Sequence, residues 1–140
     1  MRSIGRRRSA RGAVMVELAV AMPVLILIVW GAIDFARAYY TSNSLSSAVR
    51  EGGRYAAVFP FPDSNKTAIK NKVKQSFNAF GGDSLADSLI TVIDSSKLAG
   101  YVAVQVKNYK WLSTTPLKIF TGGQILMTRR AVFRWEQEPT

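Results

Sequence analysis

Between Ala13 and Ile33 the chain reads AVMVELAVAMPVLILIVWGAI, 21 residues in which Glu17 is the one charge. At a helical rise of about 1.5 Å per residue the run is about 31 Å long, matching the roughly 30 Å of bilayer hydrocarbon. It is a transmembrane helix candidate, and it divides the chain into a short leader and an appended domain. The leader, residues 1–12, holds Arg2, Arg6, Arg7, Arg8 and Arg11 with no acid. No Lys or Arg occupies the first three positions after the span. By the positive-inside rule, Arg6, Arg7, Arg8 and Arg11 keep the N-terminus in the cytoplasm, and residues from Asp34 onward are exported.

Composition narrows the function classes. The 140 residues include 19 Lys plus Arg against 9 Asp plus Glu, for a formal net charge of +10, and contain neither Cys nor His. Disulfides, zinc fingers, Ser-His and Cys-His pairs and imidazole ligands are therefore excluded. No enzyme activity and no cofactor is expected. A charge of +10 suits nucleic acid or an anionic membrane surface. Half of it sits in the leader, directly before an apolar span, so a membrane is expected and nucleic acid is not. Two rival readings remain: a nucleic-acid-binding arm, and a cleavable secretory signal ending at the small-x-small triplet Ala36, Arg37, Ala38. Against the second, the apolar stretch is long for a signal, and Glu17 interrupts what should be its most apolar part.

Beyond the span, residues 34–57 contain no proline and read as a helix extension outside the membrane. Phe35, Tyr39, Leu45, Ala48, Val49, Tyr55 and Ala56 are expected to share a face, with Arg37, Arg50, Glu51 and Arg54 elsewhere. Gly52 and Gly53 each cost about 1 kcal/mol relative to Ala in a helix, so a bend or an end is expected there. Phe59 to Asp63, with two prolines, form a loop. Ser64 is expected to cap a second helix with a core stripe of Ile69, Val73 and Phe77 and with Lys66, Lys70, Lys72 and Lys74 toward water. Gly81 and Gly82 stop it. Asp83 and Asp87, in GGDSLAD, read as helix caps rather than a calcium loop. Ser95, Ser96 and Lys97 read as a turn.

The last third alternates with period two. Leu89–Asp94, Tyr101–Tyr109 and Gln124–Trp135 are rich in Val, Ile and aromatic residues and predict three antiparallel strands. In the third, Ile125, Met127, Ala131, Phe133 and Trp135 face one side, Thr128, Arg130 and Arg134 the other, and Arg129 needs a partner or a rim position. The expected fold class is α+β: a long N-terminal transmembrane helix, then a small domain with a second helix and a roughly three-stranded antiparallel sheet. Its divisions are the leader 1–12, the span 13–33, the helix extension 34–57 and the exported domain 58–140.

A carboxylate one turn into a span is costly, at about 2.5 to 3.5 kcal/mol for mid-bilayer and less near an end. Glu17 has two readings on charge physics alone. One is an interfacial acid favoured by the helix dipole by about 0.3 to 1 kcal/mol. The other is a group awaiting a cation. Arg11, Gly12, Ala13 and Glu17, the fifth residue from Ala13, resemble the type IV prepilin processing site. There a peptidase cuts after the glycine, and glutamate stands at the fifth position of the mature chain. Val16-Glu17-Leu18-Ala19, Pro23, the run Gly31 to Arg37 and the stretch Ala48 to Ala56 narrow the likeness to the TadE-like minor pilins of tight adherence (Tad) pili. It covers residues 5–57, with a weaker echo in Arg130 to Arg134. The chain departs from major Tad pilins in having Leu18 where an aromatic residue is common and a large domain behind the helix.

The resemblance implies cleavage between Gly12 and Ala13, with Glu17 as the processing and assembly charge. Pro23, whose missing N–H leaves the Ala19 carbonyl without its helical donor, is expected to kink the span. Implied partners are a prepilin peptidase, the inner-membrane assembly platform, other minor pilins, the major pilin and membrane lipid. The implied outcome is surface adhesion and biofilm formation by a single-pass inner-membrane protein. The alternative is a permanently anchored envelope protein that is never cut. The span itself predicts recovery of the whole chain in the membrane fraction; a soluble protein with salt-sensitive DNA affinity would instead select the nucleic-acid reading.

Overall fold

The computed structural model describes residues 5–58, 64–79, 84–95, 100–115, 118 and 122–136, with side chains from Gly12 onward except that of Ser95. The expected loop Phe59–Asp63, Gly81, Gly82, Asp83, Ser96 and Lys97 lie outside the described residues, as does the leader's Arg2. One helix, α1, runs from Gly5 to Ala57. Its 53 residues make it about 80 Å long. Pro23 lies inside it without ending it. From Val14 to Ile33 its large apolar side chains are exposed, Val20 by 71% and Val16 by 66%. That half has no protein to pack against and is apolar on every side.

The second half of α1 is amphipathic, and its buried stripe agrees with the expected one at Leu45, Ala48, Val49 and Ala56 but departs from it elsewhere. Asp34, Thr41, Leu45, Ala48, Val49, Gly52, Gly53 and Ala56 face inward. Phe35 and Tyr39, expected on that face, are 74% and 62% exposed. Their rings stack on each other, with centroids 6.4 Å apart. The sheet brings its own Val, Tyr, Trp and Met side chains to the helix, and around Leu45 and Val49 the seam on α1 is completed by the small or hydroxyl residues Thr41, Ala48, Gly52, Gly53 and Ala56.

Gly52 and Gly53 carry this geometry. They do not end the helix, which continues to Ala57. A Cβ on Gly52 would lie 2.2 Å from Val73 Cγ2, and one on Gly53 would lie 2.6 Å from the Phe133 ring. The helix gives up about 1 kcal/mol of propensity at each and gains contact with a second helix and a strand.

That second helix, α2 (Lys66–Ser76), buries Ile69 and Val73, and Phe77 follows at its C-cap. Asn65, not Ser64, takes the N-cap, without a side-chain cap bond. The lysine row is not simply solvated. Lys72 Nζ lies 3.8 Å from Glu51 Oε1, and Lys74 Nζ lies 2.7 Å from Asp87 Oδ1. Asp87 opens a single 3-10 turn, Asp87–Leu89, whose N-cap is Ala86, so its role is ion pairing rather than capping.

Three strands complete the domain: β1 (Ile90–Ser95), β2 (Tyr101–Leu112) and β3 (Gln124–Arg134). They form an antiparallel sheet in the order β1-β2-β3. Val102, Val104 and Val106 of β2 are fully buried against α1 and α2, where each contributes about 1.5 to 3 kcal/mol relative to exposure. At Asn108 (φ 55°) the β2–β3 register shifts, so Lys107 and Asn108 together face Thr128. This bulge keeps both Val106 and Tyr109 inside, and asparagine tolerates the left-handed conformation better than most residues.

β3 follows α1 in the same direction. Arg129 donates to Ser46 Oγ at 3.1 Å and to Ser42 Oγ, supplying the partners its position on an inward face demands. Gly53 meets Phe133, and Glu136 N–H donates to the Ala57 carbonyl at 3.2 Å. The result is an α+β fold in which one helix is both an exposed apolar rod and the wall of a core.

Gly52→Ala should destabilise the domain. Displacing a buried β-branched side chain costs about 1 to 3 kcal/mol, against a helix-propensity gain of at most about 1. Gly53→Ala should be closer to neutral, because the half-buried Phe133 ring can swing aside. Denaturant midpoints of the two variants in detergent check the order; equal effects would contradict it.

Candidate functional site

Two places on α1 concentrate chemistry. The first is the junction expected from the sequence. Gly12 is helical, and a Cβ there would meet nothing within 4 Å. Neither packing nor backbone conformation asks for glycine at that position. Ala13 and Glu17 are both exposed and stand one helical turn apart on the bare rod. Among the described residues, Glu17 has no hydrogen-bond or ion-pair partner. The backbone of Arg6, Arg7, Arg8 and Arg11 continues the helix, while their side chains lie outside the described residues. The segment is thus presented on a projecting helix, clear of the domain.

The second place, not anticipated from the sequence, is where the apolar run ends. Asp34 is 8% exposed. Its Oδ2 accepts hydrogen bonds from the hydroxyls of Ser113 and Thr115, both just past the end of β2. Arg37, one turn along α1, places Nη1 3.6 Å from Asp34 Oδ1 and donates to Thr114 Oγ1. Burial alone would push the Asp34 carboxyl up. The Ser113 and Thr115 hydroxyls, the Arg37 guanidinium and a backbone bond at Thr114 together hold it below its ordinary value. A signal for this cluster was present: an acid directly after 21 apolar residues, an arginine at i+3, and three consecutive hydroxyl residues in a connection otherwise hard to read.

The connection from Leu112 to Gly123 is closed at its neck by the Ser113 N–H donating to the Gly123 carbonyl at 2.9 Å. Gly123 has φ +71°, a conformation that favours glycine. Between this end of the sheet and α1 lies a cleft of about 260 Å³ lined by Gly31, Asp34, Phe35, Trp111 and Ile125, among others. Trp111 itself is buried, with core residues. Asp34 Oδ1, deep in this region, has no hydrogen-bond donor within reach, only the longer Arg37 ion pair.

Among the described residues, α1 is the one helix long and apolar enough to cross a membrane, with a mean hydropathy of 2.5 in its most apolar window and none of that window buried. A core helix of a soluble protein would be covered. The family model described as TadE-like protein matches residues 12–54, from Gly12 through the span and along the seam to Arg54. Together with that match, the bare apolar half of α1 is that of a membrane-anchored protein. No curated protein and no solved structure matches the chain.

Asp34 sets a pH dependence. Its folded-state pKa is depressed, so its contribution to stability is full above the ordinary aspartate value of 3.8 and is lost as pH falls through the lower folded value. Asp34→Ala should cost about 1.5 to 3 kcal/mol at neutral pH, the range for hydrogen bonds to a charged group. The gap to wild type should close in acid. Unfolding midpoints of the two proteins across that range measure it; a gap independent of pH would rule out an ionised Asp34.

Proposed function

We propose that this TadE-like chain is the precursor of a minor pilin of a Tad-type pilus, cut between Gly12 and Ala13 and then built into, or used to start, the fibre. The TadE-like match supports a pilin-like protein associated with a Tad pilus. The observation that carries the finer reading is Gly12, a glycine that the fold does not use, at the first matched residue and five positions before a lone acid in an apolar rod.

Cleavage would free the Ala13 α-amine, a cation at neutral pH, one turn from Glu17. At about 4 Å and an effective dielectric near 20 their attraction is about 4 kcal/mol. Within one chain the pair neutralises Glu17; between staggered helices it sets register. Moving an apolar helix of about 20 residues into water is prohibitive, so the rod must exchange lipid for neighbouring helices. Its exposed apolar surface suits that exchange.

In this reading the five leader arginines hold the N-terminus in the cytoplasm, and the α+β domain is exported. The chain is a substrate of the prepilin peptidase and not itself an enzyme. Its partners are the inner-membrane assembly platform, the major pilin and other minor pilins, and its role is surface adhesion and biofilm formation. A signal-type cut after Ala38 fits poorly, because it would sever Asp34 and Arg37 from the domain segment they hold.

The mature N-terminal residue decides between processing and permanent anchoring. Sequencing of membrane-extracted protein from peptidase-positive cells should begin at Ala13, and Gly12→Leu should retain the leader while leaving the unfolding midpoint unchanged. Glu17→Gln should be cut but assemble poorly. A wild-type N-terminus at Met1 would support the uncut envelope anchor instead.

A further inference from the structure

We infer that the sheet end carrying Leu112, Ile125 and Leu126 is a membrane foot: it rests on the leaflet from which α1 emerges and holds the domain at a fixed height beside its own anchor. The inference rests on α1 as a membrane anchor, and not on processing or assembly.

Height comes first. The apolar run ends at Ile33, and Asp34 is hydrogen-bonded to Ser113 and Thr115 at the hairpin end. Trp111 and Ile125 share a cleft with Gly31, about 4.5 Å deeper along the helix than Asp34. A span that fills the hydrocarbon therefore carries the hairpin end to headgroup level, since the Asp34 cluster leaves it no freedom to rise.

Surface chemistry agrees. Leu112, Ile125 and Leu126, all at this end of the sheet, are 57%, 48% and 60% exposed, and Phe35 beside them on α1 is 74% exposed. Left in water this patch has no purpose in the fold. Set in an interface it continues the apolar surface of the rod, and aromatic residues such as Phe35 and Tyr39 suit that depth. Lys110, the cross-strand partner of Leu126, and Lys118 are exposed at the same end and match a negatively charged leaflet. Farther along the same outer face β3 exposes Thr128, Arg130, Val132 and Arg134, where Val132 stands singly between two arginines, so the apolar cluster lies at the end near the span.

The absence of cysteine allows a direct test on the full chain. Leu126→Cys, Val132→Cys and Val24→Cys each replace an exposed side chain and take a nitroxide label. Positions 126 and 132 lie on one strand and one face, about 20 Å apart. The proteins are reconstituted in vesicles of phosphatidylethanolamine and phosphatidylglycerol. Accessibility to oxygen, which concentrates in lipid, is compared with accessibility to a nickel chelate, which stays in water.

The foot predicts that the label at 126 loses nickel access while keeping oxygen access, as at 24, and that the label at 132 stays open to nickel. Equal nickel access at 126 and 132 overturns the proposal. So does loss of both probes at 126, which would mean that another protein copy covers the patch. A label at 24 open to nickel would defeat the anchor reading itself, and the foot with it.

Discussion

A helix that is apolar on every side along one half and on a single side along the other has a boundary, and in α1 the boundary is a buried carboxylate. Asp34 cannot enter hydrocarbon without great cost, and it cannot be buried in a protein without donors. Ser113 and Thr115, from the far end of the chain, provide those donors, and Arg37 adds an ion pair. The same group therefore ends the lipid-facing segment and ties the last third of the sequence to it. The rest of the domain follows from that attachment: β3 lies along α1 and meets Gly53, β2 covers the core, and α2 closes over Gly52.

The seam along α1 shows the same economy. Thr41 is buried and returns its hydroxyl to the Arg37 carbonyl at 2.9 Å, while Ser42 and Ser46 receive Arg129. A cation on an inward face of β3 is thus matched by hydroxyls rather than by a buried acid, avoiding a second desolvated charge. Small groups let the sheet come close, and the valines of β2 and β3's Met127 fill the space.

What the sequence made legible, and what it hid, divides on this seam. The span, the stripe Ile69, Val73, Phe77 and the three strands announce themselves by periodicity, because lipid or a core demands apolar side chains there. The face of α1 did so only in part: Leu45, Ala48, Val49 and Ala56 follow the periodicity, but Asp34, Thr41, Gly52 and Gly53 look polar or flexible in isolation, and Phe35 and Tyr39 look like core. Only the position of the sheet reverses those assignments. At the candidate sites the contrast is similar. Gly12 and Glu17 stand out in the sequence because nothing around them explains them, whereas the Asp34 cluster unites residues nearly eighty positions apart, a distance that local spacing cannot bridge.

β3 runs beside α1, and the β2–β3 pair is fastened to the helix by Ser113 and Thr115 at Asp34 near one end and by Glu136 at the Ala57 carbonyl at the other. Tension applied along the rod would therefore load these fastenings together, in shear, instead of peeling them one at a time. The geometry suits a tether: a domain hung on such a helix resists being pulled off it far better than its modest size alone would allow.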